Sequence, residues 1–287
     1  MDPLNLIWII PAEGSGDRLL FSFYNCKRRS LCREAAFLFC EKKLQVAGPL
    51  QLDKEKGDGE MTFCKEVRKE CDSLWQASFD HPFVKGIADG TLPIDRFRFY
   101  VMQDAYYLSH FAKVQAIGAS KAKDLETTQR FAFHSAHTCS AELTLHESFM
   151  GILEVTEEEW MTFEPSPTAY AYVSHMYRSS EGDLADVLAS ILPCYWLYFE
   201  IGERLKHAKP DHAIYNRWIE TYGSDEFASL VNEQISRMDK LAEGLPEIRR
   251  QELKNHFRKS SYYEWNFWEQ AWKKESWALE SIKEVGV

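Results

Sequence analysis

Helical spacing of apolar residues continues from Met61 almost to the C-terminus, and this feature most restricts what the chain can fold into. After Pro93, for example, Phe97, Val101 and Leu108 recur at the three- and four-residue intervals of one helix face. The alternating pattern of strands is nearly absent, and no repeat of fixed period is visible. The sequence therefore predicts an all-α, single-domain bundle of roughly eight to ten helices.

Start signals divide this region into separate helices. Ser166 offers a capping hydroxyl, and Pro167 suits the first helical position that follows. Asp183 and Ser224 are further capping residues in front of apolar segments. The last long helix is expected over residues 247–272.

The first 60 residues differ from the rest in charge. They carry equal numbers of basic and acidic residues, so that residues 61–287 hold the whole net charge of −10. The polar stretch 54–60 has the composition of a linker. We therefore expect residues 1–60 to be an N-terminal extension that is disordered or absent from the native protein because translation starts at Met61. We expect residues 61–287 to be the catalytic domain. The alternative is an ordered addition packed on that domain.

The charge and the cysteine content argue against several classes of function. The net charge of −10 argues against nonspecific binding to nucleic acid and against an anionic membrane surface, but not against a small uncharged or cationic ligand. The seven cysteines form no CxxC pair, which favours reduced thiols in a cytoplasmic protein. No apolar run is seen that reaches the ~20 residues of a membrane span.

Two carboxylates interrupt apolar helix faces. Asp104 falls in the face of Phe97, Val101 and Leu108, with Tyr107 beside it on the helix surface, and Glu264 lies in an aromatic-rich stretch of the last helix. An unpaired buried carboxylate is costly, so each is expected to have a buried partner or to face a ligand cavity. A structural ion pair or a surface position is the alternative for Asp104.

Cys194 follows Pro193 on an apolar face of a long aromatic-rich helix. A cysteine in such a place is commonly a packing residue. A reactive thiol would also need polar neighbours, for which Tyr107, Tyr198 and Glu200 are candidates.

The histidines suggest a different kind of site, one that holds a metal ion or a haem. Glu142 and His146 have a spacing that could ligate a metal, with His134 and His137 on the same stretch, but no second Glu-x-x-His pair completes a di-iron pattern. His110 could serve as a haem ligand in principle, although a core or surface role is the ordinary one.

Five stretches, in order, resemble the TenA family, the thiaminase II or aminopyrimidine aminohydrolase group. They include QDAYY around Asp104, LPCYW around Cys194 and SSYYE ending at Glu264, and they lie at 81–113, 165–178, 192–203, 218–227 and 260–272. The resemblance implies a haem-oxygenase-like fold without haem, usually assembled as a homotetramer, and it does not extend to residues 1–60. It also implies hydrolysis of 4-amino-5-aminomethyl-2-methylpyrimidine to the 5-hydroxymethyl compound, with cleavage of thiamin as a related activity, both in thiamin salvage.

The resemblance further implies roles for eight residues. Cys194 resembles the nucleophile, Glu264 the proton donor, and Asp104 the carboxylate that binds the aminopyrimidine. Tyr107 resembles the tyrosine that raises the nucleophilicity of the thiol, and the remaining four resemble residues that contact or enclose the substrate: Tyr198, Tyr222, Tyr172 and Phe267. No metal or organic cofactor is expected for this chemistry. An oxygen-activating iron protein and a non-catalytic ligand sensor remain alternatives.

Overall fold

The structure is a computed structural model that describes residues 61–278, except for the side chains of residues 141–151. The expectation for residues 1–60 lies outside this range and stays a prediction. Within the described range there are eleven helices and no strand, which confirms the all-α prediction. The helices are α1 (Phe63–Glu70), α2 (Asp72–Phe79), α3 (Pro82–Asp89), α4 (Ile94–Lys121), α5 (Leu125–Ile152), α6 (Glu157–Met161), α7 (Pro167–Ser179), α8 (Leu184–Leu205), α9 (Ala213–Tyr222), α10 (Asp225–Ala242) and α11 (Glu247–Lys273).

The predicted helix starts are confirmed by their capping hydrogen bonds. The Ser166 hydroxyl accepts the Ala169 amide at 3.1 Å at the start of α7. The Asp183 carboxylate accepts the Ala185 amide at 2.8 Å at the start of α8. Ser224 caps α10 in the same way. These side chains satisfy amides that have no partner within their own helix, which fixes where each helix begins.

The helix count slightly exceeds the prediction because residues 63–89 form three short helices. Two breaks divide this segment. Cys71 separates α1 from α2, and Pro82 begins α3. The His81 ring accepts the Phe83 amide at 3.1 Å, so an imidazole nitrogen serves as the cap at the second break.

Helix α8 lies at the centre of the bundle and packs against α4, α7, α9, α10 and α11. Its length and hydropathy meet the criteria for a membrane span, contrary to the sequence expectation, but 78% of the apolar window is buried inside the protein. A helix surrounded by other helices is apolar on all sides because no side of it faces water, and the same holds for a helix inside a membrane. Burial in the bundle therefore accounts for the hydropathy of α8.

Two features of α8 set how its neighbours approach. Pro193 lies inside the helix and supplies no amide proton, while the nearby Ser190 carbonyl accepts a hydrogen bond of 2.7 Å from the Ser260 hydroxyl of α11. One end of α8 carries Gly202, where a Cβ would clash with the backbone carbonyl of Tyr222 at the end of α9. The missing side chain thus lets α9 bring Tyr222 against α8.

Candidate active site

Glu264 on α11 is a buried carboxyl group that the structure holds in its protonated form. Burial raises its pKa to about 8, even though hydrogen bonds from Tyr172 and Cys194 act to lower it. The Tyr172 hydroxyl donates to Oε1 of Glu264 at 2.5 Å. At neutral pH this side chain is therefore an acid with a proton to give.

The Cys194 thiol lies beside this acid. Cys194 is half-buried between the buried residues Pro193 and Tyr195. Burial raises the pKa of the thiol well above its usual value, and the negative charge of Asp104, like that of Glu264 once it has lost its proton, acts in the same direction. Together these effects keep Cys194 as a thiol at neutral pH, so a thiolate forms only when its proton has somewhere to go.

Tyr107 opposes these effects, because its hydroxyl lies near the thiol and lowers the pKa of Cys194. The hydroxyl oxygen is buried and has no hydrogen-bond partner among the described residues. The expectation that polar groups surround Cys194 is therefore correct for Tyr107 but wrong for Glu200. The Glu200 carboxylate forms a bidentate pair with Arg68, with hydrogen bonds of 2.9 and 2.8 Å, and takes no part in the site. Glu200 follows Cys194 by six residues on α8, a spacing that directs the two side chains to different sides of the helix.

Aromatic rings form one wall around the thiol and the acid. The ring of Tyr107 lies 4.9 Å from that of Tyr172 and 5.6 Å from that of Phe267, measured between centroids. Tyr172 in turn stacks on Tyr263 at 5.2 Å. Tyr107, Tyr172 and Phe267 are all buried, so they form a wall suited to a flat ring.

A second group of aromatic rings faces the same region from α8 and α9. The rings of Tyr198 and Tyr222 lie 4.7 Å apart, and both contact Trp218. Burial raises the pKa of both tyrosines, and the negative charge of Asp104 acts in the same direction on each. The structure therefore brings all eight residues named from the sequence to one region.

Asp104 sits differently from the sequence prediction. The helix face directed at the site is formed by Tyr100, Asp104, Tyr107 and Phe111, and Asp104 is half-buried rather than enclosed in apolar packing. Spacings of four, three and four residues describe this face as well as the predicted one, which included Leu108. Periodicity alone could not choose between two overlapping faces of the same helix.

Sequence reasoning missed Tyr100 and Trp218. Tyr100 is 1% exposed, its hydroxyl accepts a hydrogen bond of 3.3 Å from Trp218 Nε1, and it lies 3.2 Å from the Tyr198 hydroxyl. A signal was present for Tyr100, because it precedes Asp104 by one helical turn. For Trp218 the signal was its place at the start of the family stretch 218–227.

The histidine alternatives find no support among the described side chains. His110 Nδ1 lies 2.9 Å from the Tyr177 hydroxyl, and His134 contacts Tyr195 and Glu233 in the core. No group of three potential metal ligands occurs among the residues that were described, although Glu142 and His146 belong to the stretch whose side chains are not.

The geometry can be compared with known proteins. A family profile described as the TENA/THI-4/PQQC family matches residues 68–274. The chain belongs to this family. An aminopyrimidine aminohydrolase of Bacillus subtilis (strain 168) is 56% identical over 226 residues, which are 78% of this chain and 96% of that protein. The TenA family resemblance read from the sequence is therefore confirmed.

The fold of this TenA-family chain is similar to that of solved structures. A TenA homologue from P. horikoshii OT3 shares 28% identity at a TM-score of 0.69, covering 74% of this chain and 99% of that one. A Shewanella denitrificans OS217 domain of unknown function with a heme oxygenase-like fold is 16% identical at a TM-score of 0.58, covering 73% and 91%. The prediction of a haem-oxygenase-like helical bundle is confirmed.

Proposed function

We propose that this chain is an aminopyrimidine aminohydrolase. It hydrolyses 4-amino-5-aminomethyl-2-methylpyrimidine to the 5-hydroxymethyl compound and ammonia, and it cleaves thiamin as a second activity, both in thiamin salvage. The observation that carries this proposal is the buried Glu264 carboxyl, which accepts a hydrogen bond from Tyr172 near the Cys194 thiol and within a wall of aromatic rings. The similarity to the Bacillus subtilis aminopyrimidine aminohydrolase supports it.

Covalent catalysis is the mechanism that fits this arrangement. Displacement of an amine at the exocyclic methylene is slow while the ring stays aromatic, and addition of sulfur to an electron-poor ring carbon divides the reaction into easier steps. As the carbon–sulfur bond forms, Glu264 gives its proton to a ring nitrogen and takes the proton of the Cys194 thiol. The raised pKa values of both groups suit this relay, because no free thiolate has to exist beforehand.

The second half of the reaction releases the amine. The dearomatised ring pushes electrons toward the methylene, and the carbon–nitrogen bond breaks as the amine leaves as ammonia with the proton that Glu264 holds. Glu264 recovers a proton from the water that adds next. Water then adds its oxygen to the methylene carbon. Cleavage of the carbon–sulfur bond restores the aromatic ring, and the ring proton returns through Glu264 to Cys194 or to solvent. The overall change replaces the amine by hydroxyl, with water as the only co-reactant.

Asp104 has the role of orienting the ring. Its carboxylate accepts hydrogen bonds from the exocyclic amine at the amidine-like edge of the pyrimidine, which decides which ring carbon meets the sulfur. The effect of its charge on Tyr198, Tyr222 and Cys194 supports a position beside the bound ring. Tyr172 and Phe267 enclose the ring, and the reaction uses no metal or organic cofactor.

The setting of the enzyme belongs to the same proposal. The partner is a small aminopyrimidine or thiamin rather than nucleic acid or a membrane, and the protein is cytoplasmic and homotetrameric. Sedimentation of the purified protein tests the oligomeric state.

Product analysis tests the activity. Purified protein is incubated separately with the aminomethylpyrimidine and with thiamin, and the hydroxymethylpyrimidine, the ammonia and the thiazole are quantified. Formation of the hydroxymethyl compound with one equivalent of ammonia is expected. Tight binding of the pyrimidine without turnover would instead favour a ligand sensor, and turnover that depends on bound iron would favour the oxygen-activating alternative.

A further inference from the structure

Three polar groups from three helices meet one helical turn away from the acid and the thiol, and we call them the serine junction. The Ser260 hydroxyl of α11 donates to the Ser190 carbonyl oxygen of α8 at 2.7 Å. The Nε2 atom of His175, on α7, lies 3.1 Å from the same hydroxyl oxygen. Both serines are fully buried, so these groups depend on one another rather than on water for their hydrogen bonds.

Carbonyl oxygens fix which group donates in the serine junction. A carbonyl oxygen only accepts, so the single proton of Ser260 belongs to the bond with Ser190. The Nε2 atom of His175 also lies 3.3 Å from the His256 carbonyl oxygen, which requires a proton on this nitrogen. His175 therefore donates to the Ser260 oxygen. Burial lowers the pKa of His175 to about 4, so the imidazole is neutral at neutral pH.

The junction repeats the helix pairing of the active site at a distance of one turn. Ser260 precedes Glu264 by four residues on α11, and Ser190 precedes Cys194 by four residues on α8. Four residues are about 6 Å of helix axis, so the two pairs lie at matching heights along two helices that pack together. A shift of either helix along its axis would therefore change the distance between the Glu264 carboxyl and the Cys194 thiol.

Pro193 explains why α8 needs an external contact at this turn. The proline supplies no amide proton and its ring crowds the preceding turn, so the backbone hydrogen bonding of α8 is interrupted beside Cys194. The Ser260 hydroxyl bonds the backbone of this turn at Ser190, rather than a side chain that could rotate. The bond therefore holds α8 where the helix's own bonding is incomplete.

We propose that Ser260 is a positioning residue that sets the register of α11 on α8 and so brings the Glu264 carboxyl to the Cys194 thiol for proton transfer. His175 takes part by holding the Ser260 oxygen from α7. This inference rests on the proposed function. Loss of the junction should slow the chemical step and leave substrate affinity unchanged, because a displacement of about 1 Å between reacting groups can cost about 10²-fold in rate.

The experiment measures kcat, KM, the pH–rate profile and calorimetric binding of the hydroxymethylpyrimidine product. In Ser260→Ala we expect kcat to fall by about 10-fold to 10²-fold, with KM and the product Kd within about twofold of wild type. An unchanged calorimetric stoichiometry shows that the variant is fully folded. The alkaline limb should shift to higher pH, because a thiol that lies farther away no longer lowers the pKa of Glu264.

Two further variants complete the comparison. His175→Leu leaves every Ser260 atom in place but frees its hydroxyl to rotate, so the same changes are expected at smaller size. Ser180→Ala is the matched control, because Ser180 is buried at the end of α7 and its hydroxyl donates to the Met176 carbonyl of the same helix. This control should keep the wild-type kcat and the wild-type alkaline limb.

The outcomes separate this inference from the proposed function. Wild-type kcat in Ser260→Ala, an alkaline limb that stays in place, or an equal fall of kcat in Ser180→Ala would overturn the inference while wild-type hydrolysis still supports the proposed function. If Ser260→Ala does not fold, His175→Leu decides, and wild-type kcat in that variant would overturn the inference. If the wild type does not hydrolyse the aminomethylpyrimidine, the proposed function fails and takes this inference with it.

Discussion

The hydroxyl of Tyr172 donates a 2.5 Å hydrogen bond to Oε1 of Glu264, joining two residues that are 92 positions apart in sequence. This bond links α7 to α11 at the point where the acid meets the Cys194 thiol. It stabilises the charged form of the carboxyl, whereas burial stabilises the neutral form more strongly, and the balance leaves the pKa of Glu264 at about 8. The acid is consequently protonated at neutral pH yet close to titration, which suits a group that gives and recovers a proton.

Cys194→Ala is expected to abolish hydrolysis while leaving the fold and pyrimidine binding in place. Loss of a covalent nucleophile should reduce kcat by about 10³-fold or more. Product quantification gives the rate, and calorimetry gives the Kd of the pyrimidine. Cys139→Ala, at an exposed cysteine, is the control and should have wild-type activity. Near-full hydrolysis by Cys194→Ala would remove the sulfur from the mechanism.

Glu264→Gln is expected to lower kcat/KM by about 10²–10⁴-fold, because the amide cannot relay a proton. In the wild type kcat/KM should fall as pH rises through about 8, where Glu264 loses its proton. The pH–rate profile of both proteins provides the measurement. A wild-type rate that stays constant to pH values well above 8 would contradict the role of Glu264 as the acid.

The same carboxyl should make stability depend on pH. Its pKa is raised from 4.5 to about 8 in the folded protein, so the folded state holds a proton that the unfolded state has released between these values. Stability from this group is complete below pH 4.5 and is lost as pH rises through 8, by on the order of a few kcal/mol. Urea titrations across this range should show a smaller fall for Glu264→Gln, and parallel curves would argue that Glu264 is not buried as described.

Tyr172→Phe should shift the alkaline limb of the pH–rate profile to higher pH. The Tyr172 hydrogen bond lowers the pKa of Glu264, so its loss raises that pKa and extends activity to higher pH. The maximal rate should decrease, because the carboxyl is also less well oriented. Tyr170→Phe, on the same helix at an exposed ring, is the control and should leave the profile unchanged. A limb that stays in place in Tyr172→Phe would show that the hydrogen bond does not act on Glu264.

Gly202→Ala should weaken substrate binding by displacing Tyr222. The added Cβ would clash with the Tyr222 carbonyl, so α9 must move away and carry the Tyr222 ring with it. We expect a higher KM and a loss of stability of about 1–3 kcal/mol, measured by kinetics and by urea denaturation. Glu203→Ala, at the adjacent exposed position, should change neither. An unaltered KM in Gly202→Ala would show that the position of Tyr222 does not limit binding.

The helices were largely predictable because their signals are local. Ser166, Asp183 and Ser224 act on amides two or three residues away, so a capping residue in the sequence already specifies its contact. The short helices before Pro93 were harder to separate, because their breaks at Cys71 and His81 lack the usual capping residues. The TenA-family stretches supplied the eight site residues as a set, whereas periodicity had singled out only Asp104, Glu264 and Cys194 as unusual.

Sequence by itself determined the helical class, most helix starts and the residues able to carry acid, thiol and ring-binding chemistry, since each depends on residue type and short spacing. Only the tertiary structure decided which of these groups meet and in what protonation state. The high pKa of Glu264 arises from burial among side chains of other helices, and the hydrogen bonds that join Trp218, Tyr100 and Tyr198 require three helices to pack together. Both effects depend on distances across the fold, which local spacing does not encode.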